Sequence, residues 1–171
     1  MHNGIGEQLT ASDVKRIEEE INHRKTVVRP AALKALKEAR AMGDLSENFE
    51  YYAAKRDNNQ NNSRIRFLER MLRTAHVISD KSKADEIGMN NTVKLYFEED
   101  DTLETYRIVT SIRGNSQRGL ISNESPLGKA LMGHKVGDRV LVTVSPDYAY
   151  YVVVKELDKT GDEATDRIKQ Y

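Results

Sequence analysis

Over residues 11 to 80 the apolar side chains recur in steps of three and four, with a single proline, Pro30, and a single glycine, Gly43. Val14, Ile17 and Ile21 are followed by Val28, Leu33, Leu36 and Met42, then by Phe49, Ala53, Ile65, Leu68, Leu72 and Ala75. At 3.6 residues per turn this spacing gathers them on one side of a helix and predicts helical structure with one apolar seam. Thr10 is placed to cap the first helix, with Asp13 at its third position and Leu9 spaced from Val14 as a hydrophobic staple. Gly43 predicts a left-handed end to the first arm. The second arm starts within a few residues, and two long helices joined so tightly run antiparallel. An arm of ~30 residues reaches about 45 Å, too long to fold back over a small core, so a projecting coiled-coil hairpin is expected.

Pro30 sits inside the first helical pattern and should either kink it or open a new helix as its first residue. The run Lys55 to Arg64, KRDNNQNNSR, has no apolar side chain and four asparagines, which are mediocre helix formers. The apolar spacing resumes at Ile65, so the run is read as helix, softer at mid-length. Past residue 80 the pattern changes. Residues 93–97, 106–109, 140–144 and 150–154 are β-branched or aromatic runs of strand length. Residues 98–101, EEDD, suit a hairpin turn, Gly128 to Gly133 encloses a short helix, and Gly137-Asp138 signals a turn. The expected fold class is α+β: a helical hairpin over 1–80 with its tip at 43–48, a small antiparallel α+β domain over 81–160, and a polar tail over 161–171.

Several function classes fall away on composition. The 171 residues hold no cysteine, which excludes disulfides, thiolate metal sites and a cysteine nucleophile. The four histidines, at 2, 23, 76 and 134, lack metal-ligand spacing. The G-x-x-x-x-G of 128–133 lacks the Lys-Ser/Thr of a phosphate loop. No stretch approaches the ~20 apolar residues of a membrane span, and the N-terminus does not read as a signal peptide. A cytoplasmic protein with no membrane partner is expected. Lys and Arg number 27, as do Asp and Glu, yet the charges are unevenly placed. From Tyr51 to Arg73 six cations face two acids, a net +4, whereas 81–171 carries a net −2.

At the predicted tip, Asp44, Glu47 and Glu50 place three carboxylates within seven residues, with no basic residue among them. Two readings stand. Asp44 and Glu47 form an Asp-x-x-Glu pair that could cap the second helix. Alternatively they point outward as hard oxygen ligands for Mg²⁺, an incomplete octahedral set that another molecule would have to finish.

The tip Gly43-Asp44-Leu45-Ser46-Glu47-Asn48, preceded by Arg29-Pro30 and Ala39-Arg40 and followed by Glu50-Tyr51 and Ala54-Lys55, resembles the bacterial Gre-family transcript cleavage factors of the GreA/GreB type. Ser125-Pro126-Leu127-Gly128-Lys129-Ala130-Leu131 and Lys135-Val136-Gly137-Asp138 continue the resemblance through the second half. It implies a transcription elongation factor that binds RNA polymerase, inserts its hairpin into the secondary channel and stimulates cleavage of backtracked nascent RNA. Such a factor is not itself an enzyme, and no cofactor is expected on the chain alone. Asp44 and Glu47 occupy the motif positions that help hold Mg²⁺, shared with the polymerase and present only in the complex. The resemblance also implies an FKBP-like second domain, whose loop at Glu124, Ser125 and Pro126 docks on the polymerase, and a basic patch on the arm. Arg56, Arg64 and Arg66 are the candidates for contact with the RNA 3′ end, by phosphate contacts that carry no base readout. A monomer is expected. Phe49 departs from the family, standing where alanine is commoner; the two tip acids do not. The competing readings are an inhibitor that occupies the channel without cleavage and an FKBP-like prolyl isomerase. The latter is disfavoured by a second half with no tryptophan and Phe97 as its only phenylalanine.

Overall fold

A computed structural model describes residues 6–43, 47–163 and 166–170. They form two units. One is built on Ser12–His76; the other runs from Val77 onward and also takes in Glu7–Ala11. Within the expected 1–80, the stretch Glu7–Ala11 belongs to the second unit, and the helical unit ends at His76. The reason is local pairing: the carbonyl of Leu9, in strand β1 (Gln8–Leu9), accepts the Ile78 N–H at 2.8 Å, and Asn123 Nδ2 donates to Gln8 Oε1 at 2.9 Å.

The first arm of the helical unit is α1 (Ala11–His23), a π-helical turn over Arg24–Val28, and α2 (Arg29–Arg40). The second arm is one continuous helix, α3 (Phe49–Thr74). Pro30 does not break the arm, and α2 opens one residue before it, at Arg29. It falls in the first turn of α2, directly after the π-turn, where its missing N–H costs little. The wider turn inserts about one residue, and so rotates the rest of the arm by roughly 100° against the expected seam. Leu33, expected inward, is half-exposed, while Leu36 is only partly buried and Ala39 becomes the buried position of α2. Ile17 and Ile21 on α1, and Ile65, Leu68 and Met71 on α3, keep their place in the core.

Polar side chains tie the arms together where apolar ones are absent. Asn61 is buried, accepts from Arg24 Nη1 at 3.1 Å and donates to the Arg24 carbonyl at 3.2 Å. That carbonyl also takes the Arg29 N–H of the π-turn. Asn62 Oδ1 accepts from Arg29 Nε at 3.1 Å, and Lys25 pairs with Glu69. The asparagine-rich run, expected to soften the arm, instead cross-braces the π-turn.

After α3 come β2 (His76–Val77) and the second unit proper: β3 (Thr92–Phe97), β4 (Thr102–Val109), β5 (Leu120–Ser122), α4 (Pro126–Leu131), β6 (Arg139–Ser145) and β7 (Tyr148–Asp158). The sheet order is β5-β4-β3-β7-β6. Three pairs are antiparallel and β4–β5 is parallel, so the expected antiparallel sheet is a mixed one. Alternation along the strands sends Val93, Leu95, Val140, Val142, Val152 and Val154 to one face, where they pack with Ile87, Met89, Ile108 and Leu131. The first residue of α4, Pro126, follows the cap Ser125, and Gly128 lies so close to β5 that an added Cβ would stand 2.0 Å from the Ser122 carbonyl oxygen.

Residues 161–171, expected as a polar tail, are partly built into this unit. Ile168 is buried, and Lys169 N–H donates to the Ile112 carbonyl at 2.8 Å. The buried Asp166 carboxylate accepts from Arg107 Nη1 at 2.7 Å and from Arg113 Nη1 at 2.8 Å. Arg113 Nη1 also donates to Asn90 Oδ1 at 2.8 Å, and Arg107 Nη2 to the Gly161 carbonyl at 2.6 Å.

Candidate functional site

α2 ends with Ala41 as its C-cap, and Gly43 follows at φ +121°, a conformation that L side chains rarely adopt. Asp44 and Ser46 lie outside the described residues. Glu47 is exposed and sits before the helix, which begins at Phe49. The residue that caps α3 is Asn48: its Oδ1 accepts the Tyr51 N–H at 3.0 Å, while its Nδ2 reaches across to the Ala39 carbonyl at 2.7 Å. One asparagine therefore satisfies a helix start and cross-links the two arms. The α3 cap is thus Asn48 and not Glu47, and the Asp44 half of the expected Asp-x-x-Glu cap lies outside the described residues. Glu50 is exposed on the first turn of α3, where the helix dipole favours an acid. Behind the tip, the Arg40 guanidinium lies 5.6 Å from the Tyr51 ring centroid, and Tyr51 meets Tyr52 edge-on at 5.6 Å.

The three arginine candidates separate. Arg56 and Arg66 are exposed, Arg66 donating locally to Ser63 Oγ at 3.1 Å. Arg64 is buried: its Nε donates to Glu20 Oε1 at 3.0 Å, and its guanidinium lies 5.5 Å from the Phe67 ring centroid. Glu20 also accepts from Arg24 Nε at 2.9 Å. Burial raises the Glu20 carboxyl, but the hydrogen bonds and charges of Arg64 and Arg24 outweigh it and hold the group below its ordinary value. Arg64 is thus a brace between the arms and is withdrawn from the RNA-contact set. Arg64→Ala is expected to cost about 1–3 kcal/mol in urea unfolding, through lost charge-assisted bonds and a stranded Glu20, whereas Arg56→Ala should change stability by less than about 0.5 kcal/mol. Arg70, one of the six cations counted on this stretch, is exposed one turn beyond Arg66.

In the second unit the loop before α4 presents Glu124 and Pro126 to solvent and commits Ser125 to structure. Ser125 Oγ accepts the Gly128 N–H at 3.1 Å and donates to the Ser122 carbonyl at 2.6 Å. Glu124 Oε2 accepts from Ser111 Oγ at 2.8 Å, which fixes the loop against the sheet edge.

With this geometry in place, similarity to known proteins is decisive. A family model described as "Transcription elongation factor, N-terminal" matches residues 7–77, and one described as "Transcription elongation factor, GreA/GreB, C-term" matches 81–158. The chain belongs to the GreA/GreB transcription elongation factor family. Among its GreA/GreB relatives, transcription elongation factor GreA of Thermoanaerobacter pseudethanolicus is 44% identical over 137 residues, 80% of this chain and 87% of the relative. GreA of Streptococcus thermophilus is 38% identical over 154 residues, 90% of this chain and 96% of the relative. A solved structure described as that of the transcription factor Gfh1 aligns over 89% of this chain and 97% of its own, with TM-score 0.44 and 25% identity. The family resemblance drawn from the tip motif and the SPLGKAL segment is borne out. The GreA/GreB C-terminal match stops at 158, so the segment bearing Asp166 lies beyond it. Among the described residues no helix is long and apolar enough to cross a membrane.

Proposed function

We propose that this factor acts on RNA polymerase, entering its secondary channel with the hairpin tip and stimulating hydrolytic cleavage of backtracked nascent RNA. The observation that carries this reading is the division of labour at the tip: Asn48 caps α3, so the exposed Glu47 carboxylate is left for chemistry outside the chain. In this reading the chain supplies ligands and orientation, and the polymerase supplies the active centre.

Asp44 and Glu47 are hard oxygen donors of the kind Mg²⁺ prefers, but two carboxylates cannot complete its six-oxygen shell. Among the described residues no cluster of three or more potential ligands converges. Glu47 is exposed and Asp44 lies outside the described residues, so in this reading the pair is a partial donor set that the polymerase completes. Bound there, Mg²⁺ would supply electrostatic stabilisation of the phosphoryl oxygens and would activate water as a nucleophile. The chain's own contribution is to hold carboxylates at the end of a braced arm and to accept a hydrogen bond from the attacking water. The exposed cations Arg56 and Arg66 hold phosphates of the displaced strand without reading its bases, while Glu124 and Pro126 dock the second unit on the polymerase surface.

The test is a stalled, backtracked elongation complex supplied with Mg²⁺. Adding the full chain should accelerate release of short 3′ fragments, and the effect should weaken as salt rises, because phosphate contacts release counterions. Polymerase binding with no acceleration of cleavage would overturn the proposal in favour of channel occupation alone.

A further inference from the structure

Phe49 is 84% exposed and Tyr52 51% exposed, an unusual outlay of aromatic surface on a helix whose inward face is short of apolar residues. The two lie three positions apart, and Arg56 follows Phe49 by seven, so all three share one face of α3. Continued at the same period, that face reads Phe49, Tyr52, Arg56, Asn59, Ser63, Arg66 and Arg70. Each of these residues is exposed and none is acidic. From Phe49 to Arg70 the helix rises about 32 Å. The face is thus a pair of aromatic rings at the tip end, continued by a track of cations and neutral polar groups.

A solvated helix face normally mixes charges of both signs and carries no large rings. Aromatic surfaces leading into a cationic track are what an unpaired nucleic acid strand binds: bases stack on the rings, and the cations follow the phosphates. The ring nearer the arm is held in place. Tyr52 meets Tyr51 edge-on, and Tyr51 is in turn covered by Arg40, so part of the ordering cost of stacking is already met before binding.

We propose that Phe49 and Tyr52 form a stacking platform for the unpaired bases at the 3′ end of the RNA, and so position the scissile phosphate at the tip carboxylates. This rests on the cleavage function proposed above and adds to it a means of holding the RNA by its bases. Stacking is tolerant of sequence, so the platform grips the strand without choosing among bases.

The experiment uses a backtracked complex whose RNA ends in 2-aminopurine, a base whose fluorescence is quenched when it stacks. Adding wild-type chain without Mg²⁺ should quench the signal. Phe49→Ala and Tyr52→Ala should each remove much of the quench and slow cleavage about tenfold or more once Mg²⁺ is supplied, with the circular dichroism of the free chain unchanged. Phe49→Trp should restore both readouts, whereas Phe49→Leu, apolar but without a ring face, should not. The idea is overturned if wild type cleaves and the alanine variants match it in rate and quench. It is equally overturned if Phe49→Leu behaves as wild type while Phe49→Ala weakens binding to polymerase without RNA, the result for a ring seated on protein. If wild type fails to cleave, the cleavage function is lost, and the quench still decides whether the rings stack.

Discussion

Glu47→Gln, and separately Asp44→Asn, should lower factor-dependent RNA cleavage about 100-fold or more, with polymerase binding within about twofold of wild type. Both substitutions keep the size of the side chain and remove its charge. A carboxamide is a poor ligand for a hard cation and cannot take a proton from water at neutral pH. Glu47→Gln should leave stability within about 0.5 kcal/mol of wild type, because Glu47 is exposed and does not cap α3. The contrasting variant is Asn48→Ala. It removes the bond to the Tyr51 N–H and the one to the Ala39 carbonyl and should cost about 1–2 kcal/mol of stability. Measuring cleavage, polymerase affinity and urea unfolding for all three separates chemistry from capping. Wild-type cleavage by both charge variants would remove the carboxylates from the reaction.

Asp166→Asn should be the most destabilising polar substitution in the second unit, by about 3–5 kcal/mol. The carboxylate is buried and shared between the Arg107 and Arg113 guanidinium groups, with Asp162 a further 3.6 Å partner of Arg113. Neutralising it leaves two buried cations short of a counter-charge, and that penalty exceeds the ordinary value of a hydrogen bond. Burial pushes the Asp166 carboxyl up, but the hydrogen bonds and charges of the two arginines outweigh it and leave the group below its ordinary value. A depressed carboxylate contributes stability that is fully present above the unfolded-state pKa, about 4, and is lost as pH falls through the lower folded value. Wild type should therefore lose stability more steeply than Asp166→Asn on acidification below about pH 4, and the two curves should converge. Unfolding of Asp166→Asn within about 0.5 kcal/mol of wild type at pH 7 would show that the C-terminal segment is not held by this carboxylate.

The hairpin was legible because a 3–4 apolar period, a single glycine and a short connection leave few alternatives for helical arms. Four core strands were legible from β-branched runs. The readings that failed did so for physical reasons. Arg64 looked like its neighbours Arg56 and Arg66, but one 100° step per residue sends it inward to Glu20 while they stay outside. The last residues looked like a tail because nine positions of 161–170 are charged, polar or small. Their partners Arg107 and Arg113 stand more than fifty residues earlier, and no local pattern announces a pairing over that distance.

The amino-acid sequence by itself determined the helical arms, four core strands, their order and the family, since each is written in local spacing or in a contiguous motif. Which of those residues are free to act was decided only by tertiary structure. The π-turn set the phase of the first arm, the cross-arm bond of Asn48 took over the cap, and Glu20 claimed Arg64. Burial and partner choice depend on side chains brought together from distant positions, so the same residue type serves as a brace at 64 and stands open to solvent at 56.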